Sequence, residues 1–308
     1  MNSIHGIYLF LKDILYSEEW IIAIRKRGNA FLFQKDGLQP SFQILRNTWR
    51  YWAADPFLFE KDGKAFLFFE MFDRLKAKGG IGVREFNNGK WSPMQMIIEK
   101  PFHLSFPYIY EDQNGIFMMP EASYDRCVPI LKAVDFPWKW ELIERLLDGE
   151  KVCDSIMKNI KRIRYLFTQP VEIPYTFGKL DLYVETKEGW KLHPASPICR
   201  DTPNGARMAG DIFEVDGEIY RCGQDCCGGY GKGLCFFKIE KLNANEYIET
   251  FLKNISYNEI NVISNEHFYG CHTYNISANF EVIDLKIVKC RPLNLLFAFL
   301  QKMKRLFR

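Results

Sequence analysis

The sequence predicts an all-β fold, namely a five-bladed β-propeller closed by an N-terminal strand and followed by a short amphipathic C-terminal helix. Two observations lead to this prediction. A strand-turn-strand unit recurs along the chain, and each copy is followed by a segment with the content of another hairpin. Four strands in each unit of a regular repeat are typical of propeller blades.

The repeat unit is clearest in WAADPFLFEKDGKAFLFFE, residues 52–70, where an Asp-Gly turn joins two apolar strands that carry carboxylates near their ends. Related segments include SFPYIYEDQNGIFMMPE, CDSIMKNIKRIRYLFTQ, AGDIFEVDGEIYRCGQ and the weaker CHTYNISANFEVID. Starting at Asp55, equivalent positions follow after 50, 49 and 57 residues, at Ser105, Asp154 and Asp211. This order favours a propeller over a β-sandwich or two separate β domains.

The segments between the copies supply the remaining strands, and three of them carry a tryptophan just past the third strand, at Trp91, Trp140 and Trp190. The fifth unit runs short of strands, whereas EWIIAIRKRGNAFLF, residues 19–33, has strand-like content and no unit of its own. Pairing this N-terminal strand into the last blade would remove an exposed sheet edge. We therefore predict a closed propeller over residues 1–288.

Composition limits the classes of function. The 308 residues are 47% hydrophobic and 16% aromatic, which is enough for a large core. Because 41 Lys and Arg face 38 Asp and Glu, for a net charge of +3, we expect no nucleic-acid partner. The N-terminus lacks the features of a signal peptide, so we expect reduced cysteines and a cytoplasmic location. No apolar run reaches the roughly 18 residues of a spanning helix.

The last segment, residues 289–308, is predicted to form a basic amphipathic helix. Apolar residues recur in it at helical spacing, and its positive charge comes from Lys302, Lys304, Arg305 and Arg308. Such a helix can lie on an anionic membrane surface, which would make the protein peripheral on the inner face of the membrane. It can equally dock on the body of the protein, and the sequence leaves both interpretations open.

A propeller arranges the first strand of each blade around a central axis, so residues near the entrances of these strands converge on one pocket. We therefore predict catalytic roles for Asp55, Glu121 and Asp154, which come from successive blades. Carboxylates in one pocket repel one another, so a protonated acid and an ionised base can coexist, as glycosyl chemistry requires. The alternative for Asp55 and Asp154 is structural, because an Asp before a strand often bonds backbone N–H groups.

Other polar residues near the same entrances are predicted to bind substrate, namely Glu70, His103, Arg207, Gln224, Asp225 and His272, with Gln169 beside them. Arg207 can pair with the pocket acids or hold an anionic group of the ligand. The two histidines can instead satisfy buried backbone groups. Cysteines 222, 226 and 227 lack a second pair or a histidine cluster at zinc spacing, so no metal site is predicted.

A set of motifs spread along the chain resembles a known family: WAADPFLFEKDGKAFLFFE, FHLSFPYIY, MMPEAS, FPWKWEL, ARMAGDIF, YRCGQDC and GCHTYN. Over roughly residues 20–285 they resemble the N-terminal domain of the plant glucosamine inositolphosphorylceramide transferases and its bacterial polysaccharide-biosynthesis relatives. The resemblance implies a five-bladed propeller similar in shape to arabinanase-like and sucrase-like glycosidases. It also implies a carbohydrate-active function in the assembly of cell-surface glycans or glycolipids.

Glycosidase-like propellers carry acids on their first three blades that act as base, modulator and acid. By this resemblance Asp55 matches the first, and Asp154 or Glu121 matches the others. The second blade departs from the pattern, because it has LSFP, residues 104–107, where a regular copy would have an aspartate. This departure argues against simple hydrolysis.

Three functions follow from these predictions. The first is glycosyl transfer in cell-surface glycan or glycolipid biosynthesis, with a sugar or nucleotide-sugar ligand. It needs no cofactor, except a divalent metal if the donor is a nucleotide sugar. The second is a glycoside hydrolase of the five-bladed propeller type. The third is a non-catalytic glycan-binding module, in which the acids bond hydroxyl groups and aromatic rings stack on sugars.

Overall fold

The computed structural model describes residues 15–171 and 177–291 of the chain. Within them, five β-sheets form the five blades of a propeller, as the sequence predicts. The inner strands of neighbouring blades contact one another in a closed ring. The predicted C-terminal helix falls mainly in residues 292–308, outside the described residues. In the described part of the chain, no helix is long and apolar enough to span a membrane.

The chain begins with two strands of the closing blade, β1 (Tyr16–Lys26) and β2 (Phe42–Leu45). Four blades then follow in chain order, and within each blade the first strand lies at the axis and the later strands lie further out. Blade 1 contains β3 (Tyr51–Lys61), β4 (Lys64–Asp73), β5 (Lys78–Asn87), β6 (Lys90–Trp91) and β7 (Gln95–Ile98). Blade 2 contains β8 (Ser105–Asp112), β9 (Gly115–Glu121), β10 (Val128–Asp135) and β11 (Lys139–Leu146).

The next two blades are regular four-stranded sheets. Blade 3 contains β12 (Val152–Ile160), β13 (Ile163–Pro170), β14 (Asp181–Thr186) and β15 (Gly189–Leu192). Blade 4 contains β16 (Asn204–Val215), β17 (Glu218–Asp225), β18 (Gly233–Leu242) and β19 (Tyr247–Ser256). The last strands of the chain are β20 (Val262–Ile263), β21 (Phe268–Gly270), β22 (Tyr274–Ile276) and β23 (Phe280–Cys290).

Blade 5 joins strands from both ends of the described chain. β1 pairs with β23 in antiparallel register, from Tyr16 opposite Cys290 to Lys26 opposite Phe280. β22 is the inner strand of this blade, and β2 lies on the outer side of β1. The predicted closure by an N-terminal strand is confirmed. Because this pairing covers the edge of β23, the last blade presents no long unpaired edge there.

The hydrophobic core lies between the faces of neighbouring blades, and β4 shows why the sequence of a blade strand is apolar without interruption. Phe66 and Phe68 pack in the core shared with blade 2, whereas Leu67 and Phe69 pack on the opposite face, against blade 5. A strand that is buried on both faces has no polar side, so the period-2 alternation disappears.

Polar contacts close the ring of inner strands. The N–H of Phe106 donates to Asp55, and an ion pair of 2.8 Å joins Lys158 to Asp211. The other three links are Tyr108 Oη to the Met157 carbonyl, Asp211 N to Asn275 Oδ1, and Asn275 Nδ2 to the Pro56 carbonyl. Each neighbouring pair of blades is therefore bonded at the axis as well as packed.

The inner strands of blades 1, 2 and 3 share one irregularity, a bulge directly after Ala54, Ser105 and Cys153, which oppose Glu70, Glu121 and Gln169. The bulged residues have left-handed backbone angles, with φ of 48° at Asp55, 44° at Phe106 and 48° at Asp154. This conformation is unfavourable for residues with a Cβ and persists only where the surroundings hold it. The bulges direct three side chains to the same level of the axis.

Candidate active site at the propeller axis

The candidate site is built from the bulged positions and their partners on the second strands. Glu70 lies opposite Ala54, next to Asp55, and Glu121 lies opposite Ser105. Gln169 holds the same position in blade 3. Glu70, Asp55 and Asp154 are buried, while Glu121 is half-buried and accepts a hydrogen bond of 2.9 Å from Ser105 Oγ.

Asp55 has the richest set of donors. Its Oδ1 accepts a hydrogen bond from Thr273 Oγ1 and also lies 3.1 Å from His272 Nε2. Its Oδ2 accepts the backbone N–H of Phe106 at 3.2 Å. Burial alone would raise the pKa of Asp55, but the charge of His272 and these donors outweigh burial and lower it. Asp55 is therefore ionised, and it also fixes the strained backbone of Phe106.

His272 lies between two carboxylates and carries a positive charge. Its Nδ1 is 2.8 Å from Asp284 Oδ2, while Nε2 faces Asp55. Burial lowers the pKa of this imidazole, but the two carboxylates outweigh that effect and raise the pKa to about 10. The ring of Trp20, from β1, packs on the imidazole with centroids 3.9 Å apart. β1 therefore covers one face of the His272 imidazole through Trp20.

Asp55, His272 and Asp284 also form the metal-ligand group found among the described residues, with ligand atoms within 4.8 Å of one another. Most of their polar atoms have hydrogen-bond partners, and His272 Nδ1, which has none among the described residues, lies 2.8 Å from Asp284 Oδ2 as an ion pair. Asp284 accepts the backbone N–H groups of Asp55, His272 and Thr273 at 2.9, 3.1 and 2.9 Å, and both imidazole nitrogens face carboxylates. This arrangement fits a protonated imidazole better than a metal ion, because a bound ion would displace the protons that hold it together.

Asp154, the bulged residue of blade 3, pairs with blade 4. Arg207 Nε forms a close ion pair with Asp154 Oδ2, and Gln224 Nε2 donates to the same oxygen at 3.2 Å. Burial raises the pKa of Asp154, the charge of Arg207 opposes it, and the nearby carboxylates add to the rise, which brings the pKa to about 6. The guanidinium of Arg207 also lies 5.1 Å from the centre of the Tyr230 ring. Asp154 therefore titrates close to neutral pH.

Glu70 has the opposite environment to Asp55. Its Oε1 is buried without a hydrogen-bond partner, and the nearest donor, His103 Nε2, is 3.4 Å away. Burial and the charge of Asp55 raise the pKa of Glu70 well above its usual value, which favours the protonated form. The site thus combines an ionised carboxylate, a protonated carboxyl and a third acid that titrates near neutrality.

The structure brings most of the sequence-predicted site residues to the axis: Asp55, Glu70, Glu121, Asp154, Arg207, Gln224 and His272, with His103 beside Glu70. Asp225 has a different contact, because its Oδ1 accepts the N–H of Cys227 at 2.9 Å and fixes the turn after β17. The roles assigned to these residues stay predictions.

Sequence reasoning missed Thr273, Asp284 and Trp20. The repeat itself contained the signal for Asp284. Each second strand ends in Glu or Gln, and Asp284 stands at the same position in the fifth copy, where its N–H approaches the Thr273 carbonyl at 3.4 Å. Trp20 could not be found in this way, since it reaches the site only through the pairing of β1 with β23.

Comparison with known proteins gives a family match over most of the chain. The family model described as glucosamine inositolphosphorylceramide transferase 1, N-terminal, matches residues 46–276. Curated relatives named glucosamine inositolphosphorylceramide transferase 1 are 34% identical over 204 residues in Oryza sativa subsp. japonica and 32% identical over 207 residues in Arabidopsis thaliana. These alignments cover 64% of this chain but only 27% and 26% of the relatives. The chain thus spans about a quarter of their length.

Solved structures of similar fold are glycosidases. The catalytic domain of the GH62 alpha-L-arabinofuranosidase of Coprinopsis cinerea matches with a TM-score of 0.54 and 11% identity, covering 76% of this chain and 90% of that domain. A GH43_1 enzyme from Xanthomonas citri matches with a TM-score of 0.54 and 8% identity, covering 78% and 88%. At such identities the likeness shows the fold alone.

Proposed function

The chain belongs to the family of the glucosamine inositolphosphorylceramide transferase 1 N-terminal domain, and on this premise we propose that it transfers glycosyl groups in the assembly of a cell-surface glycan or glycolipid. Its curated relatives are named as transferases, and the solved structures of similar fold are glycosidases. Both groups of proteins act on carbohydrates. We place the proposed glycosyl transfer at the propeller axis.

The observation that carries this proposal is the contrast in surroundings among neighbouring carboxyl groups. Asp55 has three donors within 3.2 Å, which lower its pKa, whereas burial raises the pKa of Glu70 and brings that of Asp154 to about 6. Glycosyl transfer needs a negative charge near the sugar carbon that becomes positive and a base for the attacking hydroxyl. In our proposal Asp55 supplies the charge and Asp154 the base, and the half-buried Glu121 contacts the ligand as a third catalytic carboxyl.

Arg207 suits an anionic group on the ligand, because a guanidinium binds phosphate and carboxylate in the same way. In the proposal it exchanges Asp154 for that group, which would suit a nucleotide-sugar donor, and a divalent metal would then assist. We also propose that the protein works in the cytoplasm at the inner face of a membrane, with residues 289–308 as the contact. Glu70, His103, Gln224, Asp225 and His272 are proposed to bind or orient the substrate.

Glycoside hydrolysis is the second candidate, and the protonated Glu70 beside the ionised Asp55 favours it. Phe106 argues against simple hydrolysis. It occupies the bulge of blade 2, where blades 1 and 3 have aspartates, and it is fully buried. A glycan-binding module without catalysis is the third candidate, and it would use the same polar groups for sugar hydroxyls.

The test is a ligand screen followed by turnover measurements. Purified protein is heated with nucleotide sugars, free nucleotides and neutral oligosaccharides, with and without Mg²⁺ or Mn²⁺, and the unfolding midpoint is measured. A ligand that binds only the folded state raises the midpoint. We expect one nucleotide sugar or glycoside to raise it, and Glu121→Gln to keep that binding while losing turnover. Leu142→Ala, on the exposed outer strand β11, is the control.

If no sugar or nucleotide sugar raises the midpoint, the proposed function fails. If wild type binds a sugar but does not turn it over, the protein is a binding module, and if Glu121→Gln and wild type turn it over alike, Glu121 is not catalytic.

A further inference from the structure

A buried carboxyl with an oxygen that has no hydrogen bond from the described residues lies between blades 1 and 2. Glu70 is only 6% exposed, and no described residue donates a hydrogen bond to its buried Oε1. The space around it depends on a glycine, since a Cβ on Gly79 would lie 2.7 Å from Glu70 Oε1 and 2.6 Å from the Leu104 carbonyl. Buried polar groups normally have partners, so a group without one suggests a ligand.

His103 fixes the orientation of this carboxyl. Its Nδ1 accepts the backbone N–H of Gly79 at 3.0 Å, so in the neutral ring the hydrogen is on Nε2, which faces Glu70 Oε1 at 3.4 Å. Because a donor faces Oε1, the acid proton of Glu70 belongs on Oε2. The His103 side chain is 44% exposed, so it connects the buried carboxyl to the protein surface.

Two stacked aromatic rings lie on the same face of the sheet as the Glu70 carboxyl. Trp52 lies opposite Phe72 on the two strands where Ala54 lies opposite Glu70, so all four side chains share one face of the sheet. The Trp52 and Phe72 rings are stacked at 4.4 Å with 10° between their planes, and Phe72 is 6.3 Å from His103. Both rings are half-buried. A rigid aromatic surface next to one polar group is the usual make-up of a small-ligand site.

We propose that a sugar ring binds against Trp52 and Phe72, that Glu70 donates a proton to the oxygen leaving the sugar, and that His103 is its positioning residue. This inference rests on the proposed function. Of the two sugar donors left open there, a nucleotide sugar and a glycoside, it selects the glycoside. A phosphate leaves as a stable anion and needs no proton, whereas a sugar or alcohol oxygen does.

The bond between the sugar carbon and the leaving oxygen breaks, its electron pair goes to that oxygen, and the proton of Glu70 Oε2 joins it. The oxygen of an acceptor hydroxyl forms the new bond to the sugar carbon. The proton of that hydroxyl passes to the base and then returns to Glu70. Meanwhile His103 Nε2–H stabilises the carboxylate of Glu70.

The charged groups that face Glu70 come from blades 1, 2 and 5. Asp55, Glu121 and Asp284 keep its proton in place, and the cation of His272 opposes them. The first test uses carboxyl infrared difference spectra at neutral pH and needs no substrate. We expect a protonated-carboxyl band that is lost in Glu70→Gln and kept in Glu121→Gln. If wild type lacks this band, the inference is overturned.

The second test concerns the sugar and the leaving oxygen. Binding of a panel of methyl glycosides is followed by saturation-transfer NMR, with Trp52→Phe, Trp52→Ala and the control Leu142→Ala. We expect one glycoside to bind, Trp52→Phe and Leu142→Ala to keep binding, and Trp52→Ala to lose it. If Trp52→Ala fails to fold, saturation transfer from tryptophan ring protons to the sugar in wild type shows whether the sugar lies against Trp52. If nucleotide sugars bind and no glycoside does, the proposed function stands and this inference falls.

The third test measures turnover of the bound sugar as a methyl glycoside and as a dinitrophenyl glycoside, whose leaving group needs no proton. Glu70→Gln should slow the first by about 10²- to 10⁴-fold and leave the second almost unchanged. Equal slowing of both would mean that Glu70 only binds, which overturns the step. His103→Gln, which keeps an N–H donor, should preserve the pH profile that His103→Ala shifts.

Discussion

Asp55 and Glu70 stand one register step apart in blade 1, yet the pKa of the first is lowered and that of the second is raised. Burial does not distinguish them, since each is 6% exposed. The supply of donors does. Asp55 has a cation, a hydroxyl and a backbone N–H within 3.2 Å, whereas Glu70 has a single histidine at 3.4 Å. In a buried site, local donors therefore decide the charge of a carboxyl.

The largest expected effect on the free energy of unfolding comes from removing His272, the cation beside Asp55. His272→Ala leaves Asp55 and Asp284 buried and facing each other without a positive charge. Breaking a buried charged pair in this way typically lowers the free energy of unfolding by about 3–5 kcal/mol. Urea unfolding at neutral pH measures the loss. Glu141→Gln, which removes an exposed partner of Lys139, serves as the control and should change little. A stable His272→Ala variant would show that His272 is neutral.

The second prediction concerns the pH dependence of stability on the Glu70 side. Glu70 has a raised pKa in the folded state and a usual value of 4.5. Between these values the folded state holds a proton that the unfolded state has lost, so stability falls as pH rises, by about 1.4 kcal/mol per pH unit. Glu70→Gln removes this loss. The stability of the variant relative to wild type should therefore grow above pH 4.5, as measured by urea unfolding at several pH values. A constant difference would mean that Glu70 is ionised.

The third prediction extends the comparison to blade 3. Asp154 is intermediate, because Arg207 only partly offsets its burial. Arg207→Met should move the pKa of Asp154 from about 6 to a higher value and make this carboxyl resemble Glu70. Carbon-13 NMR of labelled aspartate measures the titration. Arg164→Met, which removes the partner of Glu185, is the matched control and should leave the Asp154 signal in place. A fall in the pKa would contradict the assignment.

The smallest effect is expected from a single donor. Thr273→Val keeps the shape of the side chain but removes the hydrogen bond to Asp55 Oδ1. A net loss of about 1 kcal/mol is typical, and the pKa of Asp55 should rise. Urea unfolding and the same aspartate NMR measure the two changes. If the pKa of Asp55 does not move, His272 alone keeps it ionised.

Much of this molecule could be predicted from the sequence because its information is local and repeated. The apolar run of β4 and the Asp-Gly turn before it mark a blade, and the copies at Ser105 and Asp154 recur at near-equal spacing. The same repeat identified Asp55, Glu121 and Asp154 as neighbours of one axis. It also marked LSFP, residues 104–107, as a departure, but it aligned Ser105 with Asp55. The structure corrects this alignment by one residue, because Phe106 adopts the bulge of an aspartate and is held by Asp55.

By itself the sequence determined the number of blades, the closure by an N-terminal strand and the level at which the carboxyl groups lie, since these depend on periodicity and turns. Only the tertiary structure decided which of those groups is charged. The pKa of a buried group depends on atoms within a few ångströms, and these come from distant parts of the chain: Thr273 is 218 residues from Asp55, and Trp20 reaches His272 through the first strand. Repeats specify positions, whereas contacts between the ends of the chain set the chemistry.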